Sequence, residues 1–208
     1  MVNCRKFLIL FRNAAMNERF FLISFIKNTN NTADKIAEEI ANHFEEALIN
    51  RNDFLLKQNR ICNDYIFLEE GAARAFTYDL DGNEVTTNFF VQRSIVFEVV
   101  SFFKRTPSLE NIQALTDCKG WKLSFEKLNY LFHAMPEFRE FGRMILVNGF
   151  VTLKERMLSM INQTAEQRYE QLLHSKPEIF QHAALKNIAS YLGITDTSLS
   201  RIRKEFAK

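Results

Sequence analysis

The sequence predicts an α+β chain: a helix, a series of short antiparallel strands, a long helix, and a pair of helices towards the C-terminal end. Three observations predict it. Gly occurs 6 times and Pro 3 times in 208 residues, too rarely for an all-β chain of tight turns, so a substantial helical share is expected. The apolar period is helical before Phe54, strand-like from Phe54 to Phe125, and helical again afterwards. Between two strand-like runs stands Asp81-Gly82, which supplies the positive backbone angles of a tight hairpin. With 47% hydrophobic residues, 25% charged residues and 21 Phe, the chain can build a real core, and disorder, collagen-like repeats and pure coiled coil are excluded.

The elements follow in order. The most apolar stretch, residues 7–26, is broken by Arg12, Asn13, Asn17, Glu18 and Arg19, so a bilayer crossing would be costly and no membrane partner is expected. Its apolar start, residues 7–11, is too short for a signal peptide, which places the chain in the cytoplasm. Residues 1–15 read as an extension set by start-site choice, with an amphipathic segment opening at Met16, so residues 1–29 form an N-terminal extension and helix. A helix is predicted over residues 33–49, capped by Thr32, with Ile36, Ile40, Phe44 and Leu48 repeating every four residues. The runs FLLKQ, DYIFLEEG, ARAFTYD, EVTTNFFV, ENIQALTD and WKLSF then read as strands eight to ten residues apart, the rhythm of a barrel, sandwich or roll. Residues 95–103 break that rhythm as a short helix containing one acid, Glu98, and ended by Pro107.

Pro136 opens a helix predicted over residues 136–162, about 40 Å long at 1.5 Å per residue. Leu146, Phe150, Leu153, Met157 and Met160 form one apolar stripe on it, and Met144, Val147, Val151, Leu158 and Ile161 a second, interrupted at Lys154. Two apolar faces must both be covered, which points to a partner helix on one side and the chain's own core on the other; the competing reading is a helix wholly inside one core. A shorter helix, residues 165–174, follows with Thr164 as its cap.

Residues 183–208 scan as helix, tight turn, helix. Leu185, Ile188, Ala189 and Leu192 line one face of the first helix, and Gly193 stands where the turn requires a left-handed residue. Thr195 caps the second helix, whose buried face is Leu199, Ile202 and Phe206. Exposed are Asp196, Thr197, Ser198, Ser200, Arg201, Arg203 and Lys204. This segment carries five bases (Lys186, Arg201, Arg203, Lys204, Lys208) against two acids (Asp196, Glu205), +3 in a chain whose net charge is +2. Hydroxyls at a helix start with Arg and Lys further along suit a helix lying in the DNA major groove. An ordinary solvated helix hairpin is the alternative, since cations favour a helix C-terminus in any case.

The order of strands, long helix and helix pair, with NDFLLKQ, YIFLEEGAARAF, EVTTNFF, NIQALTD, LKERMLS, AEQRYEQLL and LKNIASYLGITDTSLSRIRK, resembles the cyclic-AMP receptor protein and fumarate–nitrate regulator (Crp/Fnr) family of bacterial transcription factors over residues 30–208. The resemblance implies a cyclic-nucleotide-binding-like double-stranded β-roll over residues 30–135, a dimerisation helix over 136–162 with Leu146, Phe150, Leu153, Met157 and Met160 at the interface, and a winged-helix-like helix-turn-helix domain over 163–208. Wing strands would have to come from residues 163–182, or be reduced. The implied partners are double-stranded DNA with a palindromic operator, a second copy of the chain, RNA polymerase and a small-molecule effector. By position, Thr195 contacts phosphate, Asp196, Thr197 and Arg201 read bases, and Lys204 lies near the backbone; only Arg201 matches the family's usual residue.

The family's nucleotide site pairs Gly-Glu at a helix start with a later Arg-Ser. Here Phe97 replaces the glycine, Glu98 is kept, and Ser108-Leu109 stand at the Arg-Ser position, with Arg105 displaced. Without the bare backbone and the fixed cation, cyclic AMP is not expected to bind in the usual way. No cofactor or metal is expected either. Cys4, Cys62 and Cys118 are too few and too scattered for an iron–sulfur cluster, and none of His43, His133, His174 and His182 is singled out as a haem ligand. The strand region has no histidine for a cupin-type metal site, and nucleophile, zinc-protease, phosphate-loop and dinucleotide motifs are absent, so no enzyme is expected. The functional alternative is a ligand-binding or protein-interaction module that no longer reads DNA.

Overall fold

A computed structural model describes residues 18–206; the extension read over residues 1–15 lies outside them. Two helices, α1 (Phe20–Asn30) and α2 (Asp34–Asn42), lead into eight strands: β1 (Glu45–Ile49), β2 (Phe54–Leu56), β3 (Asp64–Glu70), β4 (Ala73–Tyr78), β5 (Glu84–Phe90), β6 (Ser94–Val96), β7 (Asn111–Ala114) and β8 (Cys118–Ser124). They form two four-stranded antiparallel sheets, ordered β1-β8-β3-β6 and β2-β7-β4-β5. Strand β3 is buried on both faces because it lies between the second sheet and the helices: Phe67 meets Phe25 of α1 at 4.9 Å between ring centres, while Ile66 and Leu68 point the other way.

Three local expectations are corrected. Helix α2, predicted over residues 33–49, ends at Asn42, because residues 45–49 pair with β8 from Glu45↔Lys122 to Ile49↔Cys118; Phe44 is still buried, whereas Leu48 faces solvent. Its N-cap is Ala33, and the Thr32 hydroxyl instead donates to Asn30 Oδ1 at 2.5 Å. The β4–β5 connection is a five-residue loop, 79–83, and not a two-residue turn: Asp79 Oδ1 accepts the amides of Asp81 (3.0 Å) and Asn83 (2.8 Å), and Gly82 alone in the loop has a positive φ, 83°.

The apolar run before Pro107 divides into β6 and a helix, α3 (Val99–Lys104). The helix stops at Arg105, left-handed at φ 56°, two residues before Pro107. Helix α4 (Phe125–Ala134) is capped by Ser124, and α5 spans Pro136–Asn162 as the sequence predicts. Phe138, Phe141 and Gly142 bury the start of α5 against α4, where a Cβ on Gly142 would come within 2.4 Å of the Phe132 ring.

Helix α6 (Ala165–Ser175) begins with a Thr164–Gln167 capping box, and α7 (Ile179–His182), α8 (Leu185–Leu192) and α9 (Asp196–Phe206) follow. Residues 163–182 are therefore helical where wing strands were expected, and among the described residues no strand follows β8. A second core gathers Tyr169, Leu172, Ile179, Ile188, Ala189, Leu192, Leu199 and Ile202 together with Ala72 and Phe89 of the sheet. The C-terminal helices are thus packed directly onto β5. Among the described residues no helix is long and apolar enough to cross a membrane.

Candidate nucleic-acid interface

The α8–α9 pair is built around one glycine. Gly193 ends α8 at φ 67°, and a Cβ there would lie 2.4 Å from Met160 Cε, so both the left-handed turn and the approach of α5 require the missing side chain. The Ile194 amide donates to Ala189 O at 3.0 Å, closing the turn. Thr195 then caps α9: its Oγ1 accepts the Ser198 amide at 3.2 Å, donates to Ser198 Oγ at 3.0 Å and lies 2.9 Å from Thr197 Oγ1. Leu199 and Ile202 anchor the helix in the second core. Two buried-face expectations need correction. Leu185 is exposed, while Asn187 is buried along with Ile188, Ala189 and Leu192, and Phe206 is exposed at the end of α9, where its ring meets that of Tyr169 at 5.0 Å.

The other side of α8 is fastened to the roll and to α5. The Thr86 amide donates to Ser190 Oγ at 3.1 Å, and the Phe89 and Tyr191 rings meet at 5.1 Å. The Arg156 guanidinium stacks 3.7 Å from the Tyr191 ring and donates to Tyr191 O at 3.1 Å. Lys176 donates to Phe89 O and to Asn88 Oδ1, and burial, aided by the nearby Arg156 charge, pushes its pKa down to about 8. Arg168 donates to Leu192 O (3.0 Å) and Gln163 O (2.7 Å). None of these fasteners is visible as a motif; only the tertiary register of β5 against α8 reveals them.

What remains open on α9 is one concave surface lined by Asp196, Thr197, Ser200, Arg201 and Lys204. Arg203 is exposed at its margin, and Ser198 is half-buried in the cap. At about 100° per residue the five lining positions span an arc of about 140°, from Asp196 at one edge through Ser200, Lys204 and Thr197 to Arg201 at the other. The Glu166 carboxyl is held below its ordinary pKa first by its own amide and the Thr164 hydroxyl and then by the charges of Arg201 and Arg168, which places the start of α6 beside the Arg201 edge.

The effector-type residues have another arrangement. Glu98 caps α3, its carboxylate accepting the amides of Val100 (2.9 Å) and Ser101 (2.6 Å), so the donors a phosphate would seek are already engaged. Phe97 packs between Tyr65 (5.1 Å) and Phe102 (5.5 Å). Ser108 is buried and bonds to both the amide and the carbonyl of Glu110, while Leu109 faces solvent. Arg105 turns away, donating to Cys62 O and Asn63 Oδ1 and stacking on Phe125. Burial raises the Glu110 carboxyl; the Thr87 hydroxyl and the Arg156 charge work against that shift, and the Glu98 charge adds to it. Of the α5 stripe, Phe150 is 69% and Leu153 64% exposed, Leu146 and Met157 are also exposed, and Met160 reaches the Gly193 turn.

Residues 48–134 match the cyclic nucleotide-binding domain family. That stretch takes in all of the β-roll from the end of β1 to α4. Over about four fifths of its length the chain shares its fold with solved transcription regulators, one of them assigned to the Crp/Fnr family. It is similar to the c-di-GMP responsive global regulator CLP of Xanthomonas campestris, with 15% identity over 84% of this chain and 92% of that one and a TM-score of 0.65. FixK2 of Bradyrhizobium japonicum is 14% identical over 79% of this chain and 84% of its own, with a TM-score of 0.67. A transcriptional regulator assigned to the Crp/Fnr family from Eubacterium rectale is 14% identical over 86% and 85%, with a TM-score of 0.64. No curated protein matches the chain in sequence.

Proposed function

We propose that this Crp/Fnr-type chain is a sequence-specific, DNA-binding transcriptional regulator that works in the cytoplasm as a homodimer and has no catalytic role. The observation that carries the reading is the open face of α9: Asp196, Thr197, Ser200, Arg201 and Lys204 face solvent together, above a helix anchored by Leu199 and Ile202 and set by the Gly193 turn. In this reading residues 30–135 are the sensor roll, 136–162 the dimerisation helix, and the part from residue 163 the DNA reader. Thr195 and Arg203 sit at the edge of the reading surface, and two-fold symmetry sets half-sites about one helical turn apart. RNA polymerase is the partner through which a DNA-bound dimer would act.

Cyclic AMP in the family's usual pose is not part of the proposal. Support for leaving it out comes from Glu98, whose carboxylate caps α3 itself, from the Phe97 ring at the former glycine position, and from the lack of a cation at Ser108-Leu109. Any effector of the roll is then of a different chemistry, the CLP and Crp names belonging to those proteins alone.

Selection of genomic fragments by the purified protein at moderate salt, with and without cyclic AMP, tests the proposal. An enriched palindrome, unchanged by the nucleotide, is expected. Retention only with cyclic AMP overturns the effector reading, and no enrichment in either arm overturns DNA reading in favour of an interaction module.

A further inference from the structure

Most of the hydroxyls at the start of α9 are already spent. Thr197 Oγ1 (2.9 Å) and Ser198 Oγ (3.0 Å) both lie within hydrogen-bond distance of Thr195 Oγ1 in the cap. On the open surface, among the described residues, no hydrogen bond or ion pair engages the side chains of Asp196, Ser200, Arg201 and Lys204. Two of these four carry little base information: the Lys204 ammonium is a point charge, and the Ser200 hydroxyl both donates and accepts. The other two are directional and opposite in kind. Arg201 offers a planar fork of donors that fits O6 and N7 of guanine, and Asp196 offers only acceptors, which fit the exposed amino group of cytosine and nothing on a phosphate.

We infer that the operator half-site is read at two places, a guanine by Arg201 and a cytosine by Asp196, an inference that rests on the DNA-reading function proposed above. The five-residue separation gives a rise of about 7.5 Å along α9, about two base steps, and the 140° arc between them sends the two side chains to opposite flanks of the groove. The cations lie further along α9, Arg203 nearly in line with Asp196 about two turns on and Arg201 and Lys204 within the arc, so the face as a whole is net positive. A carboxylate in the first turn also complements the helix N-terminus, and that purely structural role leaves base preference untouched. The two roles are separable by experiment.

Full-length protein, Asp196→Asn and Arg201→Lys are each used to select from a random-sequence duplex library, with thermal unfolding as the folding control. The wild type is expected to enrich a palindrome whose halves hold a cytosine and a guanine about two base pairs apart. Asp196→Asn changes an acceptor pair into the donor–acceptor pair that fits adenine, so that one position is expected to move from cytosine to adenine by about tenfold. Arg201→Lys keeps the charge, loses the fork, and is expected to weaken the guanine preference about tenfold with the rest of the motif retained. A folded Asp196→Asn protein that selects the wild-type motif overturns the inference while leaving DNA reading intact. A wild type that enriches no motif overturns the proposed function itself.

Discussion

Helices α5 and α9 are anchored in the same manner but leave opposite chemistry in solvent. The first turns of α5 bury Phe138, Phe141 and Gly142, after which the helix carries Leu146, Phe150, Leu153 and Met157 outward into water. Helix α9 buries Leu199 and Ile202 and turns Asp196, Ser200, Arg201 and Lys204 outward instead. Covering a Leu or Phe side chain gains about 1.5–3 kcal/mol, so in the proposed dimer the middle of α5 would be stabilised by a partner with the same apolar stripe. The polar surface of α9 gains nothing from such a partner. In the proposed function its match is a polyanion, whose contacts would weaken as salt rises. A single chain can thus state two kinds of association, one by what it fails to bury and one by what it has no reason to bury.

Substitutions within α5 break the comparison most forcefully. Phe141→Ala opens a cavity in the first core and is expected to lower unfolding stability by about 3–5 kcal/mol, read by denaturant titration of the monomeric and assembled forms alike. Two and a half turns further on, Phe150→Asp removes little intrachain packing, so stability of the isolated fold is expected to change by less than about 0.5 kcal/mol. Its effect appears in sedimentation: the dimer dissociation constant rises about 100-fold, the loss of about 3 kcal/mol of apolar burial. A Phe150→Asp protein that sediments as the wild type does would remove the α5 stripe from the interface.

The split between these helices was partly legible before any coordinates. The 136–162 boundaries follow from Pro136 and helical spacing, and the Gly193 turn with its Thr195 cap follows from residue type alone, because those signals are local; the chain's own core, expected over one apolar face of α5, covers neither, since Val147, Val151, Leu158 and Ile161 of the second stripe are exposed as well. What sequence could not place were features decided by pairing at a distance. Residues 45–49 have a helical period and become a strand because β8 offers them an edge. The Asp79 carboxylate, and not Asp-Gly geometry, organises the β4–β5 loop. Ser190, Tyr191, Lys176 and Arg156 look like ordinary surface residues until β5 is laid against α8. The α9 surface was legible as a set of residues, but the division between hydroxyls consumed by the cap and groups left open needed side-chain geometry.

Thr195→Ala sharpens that division with the smallest of these effects. The variant loses the acceptor for the Ser198 amide, so stability is expected to fall by about 1 kcal/mol, a drop of about 2–4 °C in Tm for a chain of this size. If the hydroxyl serves only the scaffold, the selected DNA motif and the slope of log affinity against log salt stay as in the wild type, since no cation has been removed. Arg201 and Lys204, by contrast, each carry a charge to the groove, and removing either reduces that slope by about one. A Thr195→Ala protein that keeps its Tm but loses affinity equally for every sequence would move Thr195 from the cap to the phosphate backbone, and with it the boundary between what holds α9 in place and what α9 holds.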